Sequence, residues 1–142
     1  MSRAEAKQFF DGYAACFSRG DVEGVLDHWS LPNFISGSGG KSGAFLDAEA
    51  FLRNTRALCD FYARQGVSRA EKQILDVQSL HDGVAMVRTG DKLSDPEGDV
   101  VAEWEHVYLL RRESDGWKAF LAIADGEQAA WQARGTALGA RP

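Results

Sequence analysis

Apolar side chains recur at helical spacing from Ala4 to Arg19 (Ala6, Phe9, Phe10, Tyr13, Cys16, Phe17), which predicts a first helix. Gly20 suits the position after its last turn, where positive φ is needed, and Asp21 suits the N-cap of a second helix with Glu23 in its first turn. The stretch YAACFSRGDVEGVLDHW therefore reads as helix, one-residue stop, short helix, with the second helix turned sharply across the first. Pro32 disfavours helix just before it, so the second helix should end near His28 and Trp29. NFISGS, Asn33 to Ser38, reads as a short strand, and GSGGKSG as a loop or hairpin tip. Asp47 is the next N-cap; Phe51, Thr55, Leu58 and Tyr62 mark one face of a third helix that stops at Gly66. The period then changes to strands over Val67–Leu80, Val84–Leu93, Val100–Arg112 and Trp117–Ala124, separated by the turns HDG, SDPEGD and SDG. A tail from residue 127 to 142 is expected to form a helical turn or more around Trp131 and to fray at Gly139, Ala140 and Pro142.

Helix, helix, strand, helix and a meander of long strands give an α+β fold, with three helices packed on the concave face of a curved antiparallel sheet. A sheet bent in this way encloses a cone-shaped pocket. The length of 142 residues suits a single domain (1–142, core about 5–125). The formal net charge of −5 argues against a nucleic-acid surface. No apolar run approaches the ~18 residues of a membrane span. The start MSRAEAKQFFDGY lacks the apolar core of a signal peptide. Cys16 and Cys59 read as buried small side chains in a reducing cytoplasm.

The same opening stretch, the Gly/Ser-rich tip, FLDAEAF at the start of the third helix and WEHVYLLRRESDGWKAF resemble the nuclear transport factor 2-like superfamily, which includes ketosteroid isomerases, scytalone dehydratases and polyketide cyclases of the SnoaL type. The resemblance covers about residues 5–125 and implies the cone-shaped fold rather than one reaction. Ketosteroid isomerases carry a tyrosine on the first helix, and Tyr13 occupies that place. Their base is an aspartate on the first strand, where this chain has Gly37 between Ser36 and Ser38. Their second oxyanion donor lies in the region of Trp104, Glu105 and His106.

The last hairpin sets which side chains share the pocket. A two-residue type I′ turn at Asp115-Gly116 places Ser114 opposite Trp117 and His106 opposite Asp125. A three-residue loop would stack Glu105 on Asp125 and is disfavoured by like charge. In the first register Trp104, His106, Tyr108 and Leu110 share a face with Trp117, Ala119, Leu121, Ile123 and Asp125. The carboxylate of Asp125 would then fix the His106 tautomer and raise its pKa. Tyr13, His106 and Asp125 are the candidate proton-transfer groups, and Trp29, Trp104, Tyr108 and Ile123 the candidate ligand-binding wall. Each has a plainer reading: a rim ion pair, a core tyrosine, packing aromatics. His28 is expected to meet the last helical carbonyls and His81 to be solvated; the three histidines share no metal-ligand spacing, so no metal or organic cofactor is expected. Arg88 anchors an anion only if it points inward. Val107, Leu109, Phe120, Ala122 and Ala124 make the outer face apolar as well, which predicts a homodimer through that face. Three functions stay open: a small-molecule-binding domain for an apolar or aromatic ligand, a cofactor-free isomerase, dehydratase or cyclase, and an assembly domain with a vestigial pocket.

Overall fold

The structure, a computed structural model, describes residues 1–136 and 138. Its elements are α1 (Arg3–Arg19), α2 (Val22–Asp27), β1 (Trp29–Ser36), β2 (Gly43–Phe45), α3 (Ala48–Arg64), β3 (Arg69–His81), β4 (Val84–Ser94), β5 (Val100–Glu113), β6 (Gly116–Ile123) and α4 (Asp125–Ala133). Local chemistry sets the helix limits. The Ser2 hydroxyl accepts from the Glu5 amide while Glu5 accepts from the Ser2 amide, a reciprocal cap on α1. Gly20 adopts φ 65° and ends α1, and Asp21 caps α2 by accepting from the Gly24 amide at 3.0 Å. Asp47 does the same for α3 at the Ala50 amide.

The six strands form one curved sheet in the order β2-β1-β6-β5-β4-β3. The α+β architecture is as expected, with two amendments: the sheet is mixed, because β1 runs parallel to β6, and there are four helices. Trp29 begins β1 instead of ending α2. The stretch around Trp131 is α4, while Gly139, Ala140 and Pro142 lie outside the described residues. α1 lies across β3, α4 across β5, and α2 packs on α3. Two apolar clusters fill the concave side. Phe10, Tyr13, Val25, Trp29, Phe51, Val87, Tyr108 and Leu110 form one, and Phe61, Tyr62, Leu93, Ala102 and Trp131 the other. Trp131, Phe10, Phe51 and Phe61 are sealed from solvent, each stabilising the fold by roughly 2–3 kcal/mol.

The β5–β6 hairpin departs from the expected register. A type I′ turn at Asp115-Gly116 demands positive φ at both residues, yet Gly116 (φ 119°) alone adopts it and no non-glycine residue does. The turn therefore sits one residue earlier, on Ser114-Asp115, with Glu113 opposite Gly116. A bulge at Phe120 then shifts the ladder again, so that Val107 faces Ile123. Ala119 stays inside as expected, but beyond Phe120 the faces of β6 exchange: Ala122 and Ala124, expected on the outer face, are buried, whereas Ile123 is 42% exposed on the outer face. Past Ile123 the chain leaves β5, the Ala124 amide bonds the Ser36 carbonyl, and Asp125 opens α4 in solvent. Among the described residues no helix is long and apolar enough to cross a membrane.

Candidate functional site

A cavity of about 690 Å³, open at one side, lies between α1, α3 and α4 and the concave face of the sheet. Tyr13, Trp29, Trp104, His106 and Tyr108 line it as expected; Ile123 and Asp125 do not. The expected His106–Asp125 pair is thus corrected: the displaced turn and the bulge carry Asp125 into the first turn of α4. Arg88 points away from the cavity and pairs with Glu105 at 3.4 Å. His28 Nδ1 meets the Gly24 carbonyl at 2.7 Å, as a helix-end histidine should. A larger groove of about 1150 Å³ beside α1 and β3 is lined mainly by charges such as Lys7, Asp11, Arg19 and Arg69; it shares Lys72, Asp91 and Trp104 with the inner cavity, and Trp104 is the aromatic residue it carries.

Cross-strand register builds the cavity floor. Lys72 on β3 lies opposite Asp91 on β4, Asp91 lies opposite Trp104 on β5, and Thr89 lies opposite His106. All these positions point inward by strand alternation. Lys72 forms a buried ion pair with Asp91 and donates to the Tyr108 hydroxyl at 2.8 Å. Thr89 Oγ1 donates to the other Asp91 oxygen at 2.6 Å. Each Asp91 oxygen is thereby engaged, and the Lys72 ammonium sits 5.1 Å from the Tyr108 ring centre and 5.4 Å from that of Tyr13. Neither Lys72 nor Asp91 was singled out from sequence. Lys72 sits between Glu71 and Gln73, and Asp91 precedes Lys92, so both read as solvated strand positions.

His106 stacks on Tyr108 with ring centres 4.6 Å apart and planes 16° from parallel. Its Nδ1 receives the Trp104 indole N–H at 3.0 Å. Indole nitrogen only donates, so Nδ1 carries the lone pair and the neutral ring carries its proton on Nε2. Asp91 Oδ2 is 3.8 Å from Nδ1, too far for a hydrogen bond. Burial, and then the Lys72 charge, lower the imidazole pKa from 6.5 to about 3, with Asp91 opposing. The expectation of a raised value is overturned. Here the carboxylate partner at 125 is gone and desolvation dominates.

The Tyr13 hydroxyl accepts from Trp29 Nε1 at 2.9 Å. Burial raises the pKa of Tyr13, Tyr62 and Tyr108, and all three stay neutral phenols. From α4, Glu127 enters the cavity wall and accepts from the Tyr62 hydroxyl and from Trp131 Nε1 at 3.2 Å. Burial raises its pKa against those two hydrogen bonds and the Lys72 charge. Gln128, next along α4, fills the space a side chain at Gly37 would take. So the position corresponding to a first-strand carboxylate is covered by a neighbour that itself follows a buried one. No sequence signal marked Glu127, because a glutamate in a short helix ordinarily faces water.

The family model described as NTF2-like protein (DUF6841) matches residues 4–127. No curated protein matches the chain. Among solved structures, the chain is similar to an NTF2-like protein of unknown function from Shewanella oneidensis MR-1, with 16% identity, 87% of this chain and 98% of that one covered, and TM-score 0.68. It is also similar to a domain of unknown function with a cystatin-like fold from Nostoc punctiforme PCC 73102 (13% identity, 87% and 77% covered, TM-score 0.68). A third is a ketosteroid isomerase-like protein from Erwinia carotovora atroseptica (18% identity, 87% and 95% covered, TM-score 0.58). At these identities the likeness speaks for the fold.

Proposed function

The chain belongs to the NTF2-like family DUF6841, and from that premise we propose that it is a small-molecule-binding domain whose apolar or aromatic ligand occupies the cavity above Lys72, Asp91 and His106. The observation that carries this reading is the combination of aromatic walls with a few convergent, buried polar groups in a cavity of ligand size. The free thiols Cys16 and Cys59 support a cytoplasmic setting.

The test is a thermal-shift screen of small aromatic and alicyclic compounds. A ligand at a hundred times its Kd adds about 2.7 kcal/mol, which is roughly 5–15 °C in Tm for a domain of this size. Ala122→Phe, which fills the cavity from β6, should abolish the shift while leaving a folded protein. A screen without any shift refutes binding, and so does a shift that survives in the filled variant.

A second reading, proton-transfer catalysis of the isomerase, dehydratase or cyclase kind, is favoured by one observation. Glu127 brings a carboxyl group with a raised pKa into the same cavity as the neutral donors Tyr13 and His106. In that reading Glu127 takes the role first assigned to Asp125. Glu127→Gln should then abolish turnover of a bound compound and leave its affinity within a few-fold. Loss of affinity with no turnover in the parent protein returns the site to plain binding.

The outer sheet face supports a homodimer. Phe34 lies beside Leu121, Leu121 opposite Leu109, and Ile123 opposite Val107, with Phe34 and Ile123 more than a third exposed.

A further inference from the structure

We propose that Gln128 is a specificity-determining residue of the cavity, its side-chain amide pairing with a neutral ligand group that offers one hydrogen and one acceptor side by side, a lactam or a carboxamide. This deepens the binding reading above and rests on it.

Buried polar groups are ordinarily hydrogen-bonded, and Gln128 is the exception in the cavity wall. It lines the cavity from α4 and is only 9% exposed. The side-chain hydrogen bonds of α4 are those of Glu127 with Tyr62 and Trp131, and the Gln128 amide makes none among the described residues. Nor is it sealed away, since Asn33 Oδ1 is the one fully buried, unpartnered side-chain atom among them. The amide lies against Gly37, the residue after β1, where an added Cβ would come within 2.2 Å of Nε2 and 3.0 Å of Oε1. The backbone beneath it is already engaged. The Gly37 N–H donates to Ser42 Oγ at 3.1 Å, and that hydroxyl donates back to the Gly37 carbonyl at 3.0 Å. The Ser36 carbonyl accepts from the Ala124 N–H at 2.8 Å. An unfilled donor and an unfilled acceptor therefore stand together at the β1 side of the cavity. β6 and β5 separate them from the Lys72–Asp91 pair on β3 and β4.

The pairing chemistry follows from the carboxamide itself, which presents one N–H face and one oxygen in either orientation. Glu127 adds a carboxyl group to the same wall, its Oε2 held by Tyr62 and Trp131 and its Oε1 without a partner. A ligand carboxylate would set one oxygen against the amide oxygen and face that second carboxyl group. A ligand ammonium could turn to Glu127 and to the amide oxygen, yet it leaves the amide N–H without an acceptor. A single hydroxyl oxygen cannot lie in line with both amide atoms. A lactam or carboxamide fills both with two parallel hydrogen bonds and brings no charge.

Four probes of one ring size test this by calorimetry on the whole chain: dihydroquinolin-2-one, which is a lactam, its carbocyclic counterpart 2-tetralone, 2-naphthoate and protonated 2-aminotetralin. The lactam should bind at least about tenfold more tightly than each of the others. Gln128→Leu should narrow the gap between lactam and tetralone to within about threefold, with tetralone itself changed by less than about threefold. Gly37→Ala keeps the amide and pushes it aside, so it should narrow the same gap, and its melting curve reports that the domain is folded. Should Gln128→Leu fail to fold, Gly37→Ala decides. No lactam preference in the parent, a preference that survives the deciding variant, or all four affinities moving together as a merely structural amide would move them, overturns the proposal and leaves the cavity reading intact. If none of the four binds at about 1 mM the proposal is overturned, and the cavity reading falls with it only if the thermal-shift screen is also without a shift.

Discussion

Asp91→Asn keeps the shape of the cavity floor and removes one charge. Lys72 and Asp91 side chains are only 8% and 3% exposed, so the Lys72 ammonium left behind cannot turn to water. Its remaining partners are the Tyr108 oxygen at 2.8 Å, the Tyr13 and Tyr108 ring faces and an amide oxygen. Two unit charges in contact are worth about 4 kcal/mol at an effective dielectric of about 20. Stripping one partner from a buried pair costs about 3–5 kcal/mol. Set against a total of about 5–15 kcal/mol, that removes a large share of the stability of a domain this size. Tm should fall by roughly 10–20 °C. Lys72→Met should cost a similar amount, because it strands the Asp91 carboxylate with Thr89 as its one remaining donor. The double variant Lys72→Met/Asp91→Leu has no stranded charge. It should lie within about 1 kcal/mol of the parent, or above it. Urea unfolding followed by circular dichroism on the four proteins closes a double-mutant cycle. Single costs below about 1 kcal/mol, or additivity within about 0.5 kcal/mol, would refute the reasoning by showing a pair screened by solvent.

Two buried groups give opposite pH dependences. His106, lowered from 6.5 to about 3, contributes stability that is complete above pH 6.5 and is lost as the pH falls toward 3, so His106→Gln should flatten the acid limb of urea stability against pH. Glu127, raised from 4.5, favours folding most at low pH and loses that contribution as the pH climbs through its folded value; Glu127→Gln should stabilise the protein at about pH 8 and add nothing at about pH 4. Gly126→Ala sets a methyl group into the Glu105 carbonyl oxygen, so α4 must shift, at about 1–3 kcal/mol in urea unfolding, and Trp131 emission should move to longer wavelength. Ile123→Lys on the outer face should leave the melting curve of the monomer unchanged and, if the outer faces pair, convert a dimer to a monomer by light scattering; an unchanged mass refutes pairing through that face.

Most of the scaffold was readable because its punctuation is local. Gly20 and Asp21, Asp47, and the turn glycines at 66, 83 and 98 act within a few residues of themselves, and each has the conformation its surroundings demanded. On β5 simple alternation placed Trp104, His106 and Tyr108 inward correctly. β6 defeated the same rule. From Trp117 to Ile123 the residues are mostly apolar on both faces, so nothing in their order reveals that Phe120 is an extra residue. One inserted position sends Ile123 outside and Asp125 into a helix. Lys72, Asp91 and Glu127 were illegible for a different reason. Each is a charged residue among charged or polar neighbours, and only partners 19, 36 and 65 residues distant in sequence make burial tolerable. The His106 tautomer is likewise a two-residue matter, Trp104 to His106 along one strand, yet it has meaning only once both side chains are known to be indoors.

Of the four tryptophans, three tie their indole N–H to the cavity's own polar groups: Trp29 to Tyr13, Trp104 to His106 and Trp131 to Glu127. The fourth, Trp117, is tied to Glu5 near the surface. The protein thus carries a built-in optical gauge. A guest that reorders those hydrogen bonds changes the intrinsic emission of three chromophores at once, without a label, and Trp117 serves as the internal standard.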